Sequence, residues 1–385
     1  MTIREKVLQA FQAEYGGDPI WITRSPGRVN IIGEHTDYND GFVLPMAIEY
    51  AAWVALKPRE DRLVRVSALD KGQEMEFSLD DLRKGKGGWQ EYVTGVAWAL
   101  QEQGYSLGGW EGVFAGDVPL GAGLSSSAAL ELALARAFSL AGDLDWDPRS
   151  MALVCQKAEN LWVGVNSGIM DQMISACGKE DFALLIDCRT LKTRQVPLPE
   201  MARIVILDTA TRRGLVDSAY NERRAQCEAV ACHFDVEALR DVSEEQLLNT
   251  AGIMNTVLYQ RARHVITENQ RVLAAVKALE EGDAESVGKL MNESHRSLRD
   301  DYQVSREELD QMVEIAQGEP GCYGARMTGG GFGGCAVALV EGDQVDDFEY
   351  NVTRKYLRQT GLEPKIYLSQ ASNGTSFEEI SSSSG

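Results

Sequence analysis

The sequence predicts an α+β protein of two closely packed halves with a ligand cleft between them. Three observations carry that prediction. Up to about residue 200, β-rich runs alternate with glycine-rich turns, whereas helical patterns dominate beyond it. The chain then finishes strand–helix–strand, which suits an α+β sandwich. No proline-rich linker separates the halves, and a cleft between packed parts is a natural ligand site.

Taken in order, Ile3, Val7, Leu8 and Phe11 make one face of an amphipathic helix. Alternation and β-branched or aromatic content predict strands over 21–24, 42–56, 63–69 and 75–79. Asp40-Gly41 between apolar runs signals a tight turn. Trp89, Val93, Val96 and Leu100 recur at helical spacing, so Trp89 opens a helix. Residues 124–141 and 149–162 follow the same period, and 182–187 and 203–208 suit short buried strands. In the second half helices are expected over 218–233, 257–281, 284–295, 306–317 and 345–360. Strands are expected over 335–340 and 365–368. From Gln370 the chain turns Ser- and Gly-rich, which predicts a flexible tail over 371–385.

The 385 residues are 44% hydrophobic and 25% charged, which excludes a disordered or collagen-like chain. With 58 acidic against 38 basic residues the formal charge is −20, which repels nucleic acid and anionic membranes. A phosphate ligand therefore has to be held locally, by backbone N–H groups, a metal or a placed arginine. Seven cysteines with no CxxC pair read as reduced thiols. No apolar run reaches the ~18 residues of a membrane span, and the charged N-terminus lacks a signal-peptide core. A cytoplasmic protein is expected.

Three clusters concentrate chemistry. Residues 25–41 crowd Arg28, Glu34, His35, Asp37 and two asparagines into a turn-rich stretch between strands. That density of donors and acceptors suits a polyhydroxylated ligand, and equally a turn whose Asn and Asp side chains cap the backbone. Residues 117–131 run Asp-Val-Pro-Leu-Gly-Ala-Gly-Leu-Ser-Ser-Ser into an apolar helix. Helix-terminal N–H groups there make an anion site, or the small residues serve close packing. Residues 327–335 carry five glycines around Phe332. They formally match GxGxxG, but a strand follows where a dinucleotide fold needs a helix. A turn between strands and a backbone wall beside a ligand both fit. Glu159 and Asp171 each read as caps or as functional carboxylates.

Together these clusters resemble the GHMP kinases, and within them the galactokinase branch. Residues 26–41 are similar to that branch's sugar-binding signature, 119–128 to the family phosphate loop and 326–334 to its third motif. Residues 168–172, 185–189 and 220–228 are similar to further segments in the same order, and the likeness covers roughly residues 20–370.

The resemblance implies a two-lobed fold. Its N-terminal lobe, 1–205, is like ribosomal protein S5 domain 2 and holds the sugar signature (20–50) and phosphate loop (117–131). Its C-terminal lobe, 206–370, is a ferredoxin-like α/β sandwich. It also implies transfer of the ATP γ-phosphoryl to the C1 hydroxyl of α-D-galactose, opening galactose catabolism. Asp171 matches the catalytic carboxylate and Arg28 its charged neighbour, Asp171 contributing orientation more than basicity. Glu34, His35, Thr36, Asp37, Gly168, Asp171 and Tyr220 match the sugar site. Gly121, Ala122, Gly123, Leu124, Ser125, Ser126 and Ser127 match the ATP-phosphate loop, with Ser67 and Trp89 toward the adenine. Mg²⁺ is implied on Glu159 and Ser127, or Ser126. The implied partners are galactose and MgATP, in a monomer or weak homodimer. Asn166-Ser167 stand where many relatives carry Cys, which bears on sugar specificity. The rival readings are a kinase of the same fold for N-acetylgalactosamine, arabinose or galacturonate, and a non-catalytic galactose/ATP sensor.

Overall fold

A computed structural model describes residues 1–85, 87–211 and 216–380, with 216–218 as backbone alone. Its strands are β1 (Trp21–Ile32), β2 (Phe42–Pro58), β3 (Leu63–Ala68), β4 (Gln73–Ser78), β5 (Trp110–Gly116) and β6 (Phe182–Asp187). They continue with β7 (Thr193–Pro197), β8 (Ala202–Asp208), β9 (Cys322–Met327), β10 (Cys335–Glu341), β11 (Lys365–Ser369) and β12 (Ser376–Glu379). The first five helices are α1 (Ile3–Tyr15), α2 (Trp89–Glu102), α3 (Ser126–Ala141), α4 (Pro148–Lys157) and α5 (Met170–Cys177). The rest are α6 (Val216–His233), α7 (Glu244–Leu248), α8 (Thr256–Glu280), α9 (Ala284–Ser297), α10 (Glu307–Gln317) and α11 (Val345–Thr360).

Two sheets organise these elements. An eight-stranded sheet runs β12-β1-β2-β5-β3-β4, with β6 added on β2 and β7 on β6. The β3–β5 pair is parallel and the others antiparallel. A four-stranded antiparallel sheet, β11-β8-β10-β9, forms the second layer system. The alanine- and leucine-rich α3 packs on β1 and β2 around Leu132, Phe138 and Val29, so its N-terminus is held rigidly. Val205, Leu207, Ala336 and Ala338 pack against Phe348 and Tyr356 of α11 in the second core.

Several sequence expectations change here. Residues 25–32 are not a turn-rich loop but the continuation of β1, with register shifts between Pro26 and Arg28 and between Asn30 and Ile32. Pro26 and Gly27 disguise the strand, and such bulges re-aim a side chain, here Arg28. Helix α4 stops at Lys157 and a π-helical turn, Ala158–Val163, carries Glu159. Strands β5, β7, β9 and β12 escaped the pattern reading, and β8 starts at Ala202, so a boundary at 205/206 falls inside a strand of the second sheet.

The expected flexible tail is ordered over 376–379. β12 pairs with Trp21–Arg24, Glu378 bridges Arg4 at 2.6 Å, and Thr375 Oγ1 donates to the Ser175 carbonyl at 2.9 Å. Ser-rich composition suggests fraying, but the open edge of β1 offers backbone partners that composition does not register. Residues 381–385 of that tail lie outside the described residues.

Candidate active site

The site is built where β1 passes the loop before α3. A Cβ at Gly27 would meet the Leu124 carbonyl at 2.6 Å, so only glycine lets strand and loop touch. The Arg28 amide then donates to that same carbonyl at 3.0 Å. The loop turns through Gly121 (φ 71°), Gly123 (φ 83°) and Ser125 (φ 59°), and α3 begins at Ser126. Ala122 and Leu124 are buried and anchor the loop, and the N–H groups at the head of α3 are of the kind that can hold an anion.

Arg28 reaches Asp171 in the first turn of α5. Its Nε donates to Oδ1 at 2.8 Å and a terminal nitrogen to Oδ2 at 2.9 Å, a two-pronged fork. Ser125 Oγ donates to Oδ2 at 2.5 Å, so the carboxylate is gripped from a strand, a loop and its own helix. Both guanidinium nitrogens lie within 2.8 Å of Oδ1, so the carboxylate is held ionised and fixed in orientation.

The opposite wall comes from the segment after β1. Glu34 is buried; its Oε1 accepts from Gly329 N (2.8 Å), Thr328 Oγ1 (3.1 Å) and the fully buried Arg326 (3.3 Å). These bonds join the two sheets, because Arg326 to Thr328 leave the end of β9. His35 sits at φ 63° with Nδ1 2.8 Å from the Tyr38 hydroxyl, its ring against Tyr220 on α6. Asp37 packs on Gly168, where an added Cβ would fall 1.9 Å from its Oδ2. Burial, and then the Asp171 charge, push the Asp37 carboxyl up to about 7.

Arg28, Glu34, His35, Asp37, Ser127, Glu159, Gly168, Asp171 and Tyr220 thus line one cleft of about 210 Å³, with the backbone of Gly329 and Gly330 as a further wall. Asn166, Ser167 and Asn221 also line it; their sequence gave no sign beyond the odd Asn-Ser pair before Gly168. Glu159 accepts from Ser167 Oγ (2.5 Å) and Gln172 Nε2 (2.8 Å), and Ser127 lies against the same carboxylate. Burial, and then Asp171, raise the Glu159 carboxyl above its ordinary range.

A second, apolar pocket of about 370 Å³ opens on the other side of the loop, lined by Trp89, Tyr92, Phe114, Val118, Leu120 and Ser126 among others. Trp89 stands edge-on to Phe114 and donates through Nε1 to Gln73 at 2.9 Å. Ser127 lines both cavities, whereas Ser126 lines the apolar one alone.

Three expected site residues have other tasks. The Thr36 hydroxyl is buried between the Gly33 and Phe42 carbonyls (2.9 and 2.7 Å), holding the turn outside the cleft. Ser67 donates to Glu14 on α1 and is absent from the apolar pocket's lining, where Ala68 takes part. Ser125 spends its hydroxyl on Asp171. Residues 212–218, between β8 and the described part of α6, include positions outside the described side chains.

Glu159 and Ser127 offer hard oxygen donors, which fit Mg²⁺. Among the described residues no three His, Cys, Asp or Glu cluster as a metal cage. No helix among the described residues is long and apolar enough to cross a membrane, and no disulfide joins the cysteines among them.

Comparison with known proteins agrees with this geometry. Residues 9–58 match the galactokinase galactose-binding signature, 91–179 the GHMP kinases N terminal domain and 275–358 the GHMP kinases C terminal. A galactokinase of Roseiflexus sp. (strain RS-1) is 49% identical over 374 residues, 96% of either chain. The crystal structure of Lactococcus lactis galactokinase complexed with galactose superposes with a TM-score of 0.93 at 38% identity, covering 97% of this chain and all of that one. Methanococcus jannaschii mevalonate kinase shares the fold alone: TM-score 0.66 at 18% identity, over 91% of this chain and 98% of that one. The chain belongs to the galactokinase family of GHMP kinases.

Proposed function

We infer that this protein transfers the γ-phosphoryl group of ATP to the C1 hydroxyl of α-D-galactose, yielding galactose 1-phosphate and ADP. The single observation that carries the reading is the Arg28–Asp171 fork. It opens on one side to the Glu34, His35 and Asp37 wall and on the other to Ser127 at the head of α3. A sugar fits the polar wall and ATP the loop, its adenine in the Trp89 pocket. The galactose bound to the Lactococcus relative supports the choice of sugar.

In this reading the C1 hydroxyl donates to the Asp171 carboxylate that Arg28 and Ser125 hold in place. Phosphoryl transfer through a loose transition state demands alignment and charge neutralisation more than a strong base. The carboxylate therefore orients the hydroxyl first and takes its proton late, as the new O–P bond forms and the bond to ADP breaks. Arg28 keeps the carboxylate fixed and adds positive charge beside the transferring group. The helix-terminal N–H groups of α3 hold the phosphates. Glu159 and Ser127 would hold Mg²⁺, which would neutralise phosphate charge when bound. The first lobe ends before β8, which starts at Ala202 in the second sheet, and the protein works in the cytoplasm.

Steady-state ADP release with MgATP and a panel of free sugars tests the substrate. Galactose is expected to lead, with N-acetylgalactosamine, arabinose and galacturonate far behind. Another sugar in front would overturn the galactose assignment.

A further inference from the structure

Behind Glu159, away from the cleft, lies a buried polar cluster that the reaction above leaves unused. Gln172 follows Asp171 on α5 and is fully buried; its Nε2 donates to Glu159 Oε2 at 2.8 Å and to Glu131 Oε2 at 3.0 Å. Glu131 is fully buried too, and stands four residues after Ser127 on α3, hence on the same helix face. Among the described residues, no lysine or arginine pairs with Glu131 or Glu159, and Oε1 of both Glu131 and Gln172 lacks a hydrogen-bond partner.

A buried polar group left partly unsatisfied is costly, and an apolar residue at 131 would remove that cost. What Glu131 does supply is a direction. An amide has two N–H donors, and Gln172 directs them at two carboxylates. A flip would place its carbonyl oxygen against both of them, so Glu131 locks the amide with its N–H side toward Glu159. The bonds from Gln172 and from Ser167 both fall on Oε2 of Glu159 and leave Oε1 unengaged by this pair.

We propose that Gln172, anchored by Glu131, is the positioning residue of the metal carboxylate Glu159. The bridge holds one oxygen of Glu159 and thereby aims the other at the ion shared with Ser127. The proposal rests on the phosphotransfer reading above. Outer partners of this kind set metal affinity by orienting the ligand.

Two measurements read it: calorimetric titration of Mg²⁺ into enzyme saturated with AMP-PNP, and the Mg²⁺ dependence of galactose phosphorylation. Glu131→Leu is expected to raise the half-saturating Mg²⁺ concentration about tenfold or more in both, with KM for galactose unchanged. Glu131→Gln presents a carbonyl oxygen to the same N–H and is expected to restore wild-type Mg²⁺ binding. Gln172→Met, which keeps Glu131, covers the case in which Glu131→Leu fails to fold, and is expected to raise the requirement equally. Wild-type Mg²⁺ binding in folded Glu131→Leu or Gln172→Met overturns the proposal, as does a Glu131→Gln enzyme as impaired as Glu131→Leu. A wild-type enzyme that phosphorylates no sugar refutes the phosphotransfer reading instead, so the two failures are separable.

Discussion

Adding one methyl group at Gly168 isolates the geometry of the sugar wall. A Cβ there would lie 1.9 Å from Asp37 Oδ2 and 2.3 Å from its Cγ, whereas an ordinary contact needs 3.4 Å, a deficit of 1.5 Å. The backbone at 168 lies outside the left-handed region, so alanine is tolerated by the chain itself and the clash falls on the carboxylate. Asp37 has to swing away by about that deficit. A misplacement of ~1 Å in a positioned group costs roughly 10²-fold in rate, or about 2.7 kcal/mol. Gly168→Ala is therefore expected to lower kcat/KM for galactose about 100-fold while KM for ATP stays near wild type. A coupled assay for ADP release measures both, with thermal unfolding as the check on folding. A folded variant with kcat/KM for galactose within about threefold of wild type (~0.65 kcal/mol) would refute the reasoning, because Asp37 would then be free to move at no cost.

Further outcomes follow from the same geometry. The Asp37 carboxyl, raised to about 7 from 3.8, binds a proton in the folded state that the unfolded chain has released. Its stabilisation is complete below about pH 4 and is lost as pH rises through about 7. Asp37→Asn should therefore reduce the fall in Tm between those limits, and an unchanged slope contradicts the assignment. Trp89→Ala is expected to raise KM for ATP about 3- to 10-fold, the value of one aromatic contact, with galactose affinity measured by calorimetry unchanged. Deleting residues 376–385 removes β12 from the edge of β1 and should lower Tm by roughly 1–3 °C, about 1–2 kcal/mol, with galactose binding intact.

Residue chemistry made much of the site legible in advance. Arg28, Glu34, His35, Asp37 and the loop serines announce themselves by density, and the glycines by the close approaches they permit. Helix periodicity placed α8, α9 and α11 within a residue or two, because each has one long buried face. What escaped depends on partners distant in the chain. Arg326 is 292 residues from Glu34, and no local pattern marks a guanidinium that will be buried on a carboxylate. Strand β1 hid behind Pro26 and Gly27, since its bulges are stabilised by β2 rather than by its own composition. Thr36 and Ser67 look like ligand hydroxyls until the carbonyls of Gly33 and Phe42, and Glu14 from α1, are seen to take them. Ser-rich composition likewise concealed β12, which is ordered by the strand edge it meets.

The most direct test of the Asp171–Arg28 centre is single-turnover formation of galactose 1-phosphate by Asp171→Ala, beside calorimetric binding of galactose. Galactose should still bind, through Glu34, His35 and Asp37, while the rate of the chemical step falls by at least about 10²-fold. A loss below about tenfold (~1.4 kcal/mol), with galactose bound as in the wild type, would contradict the role given to Asp171.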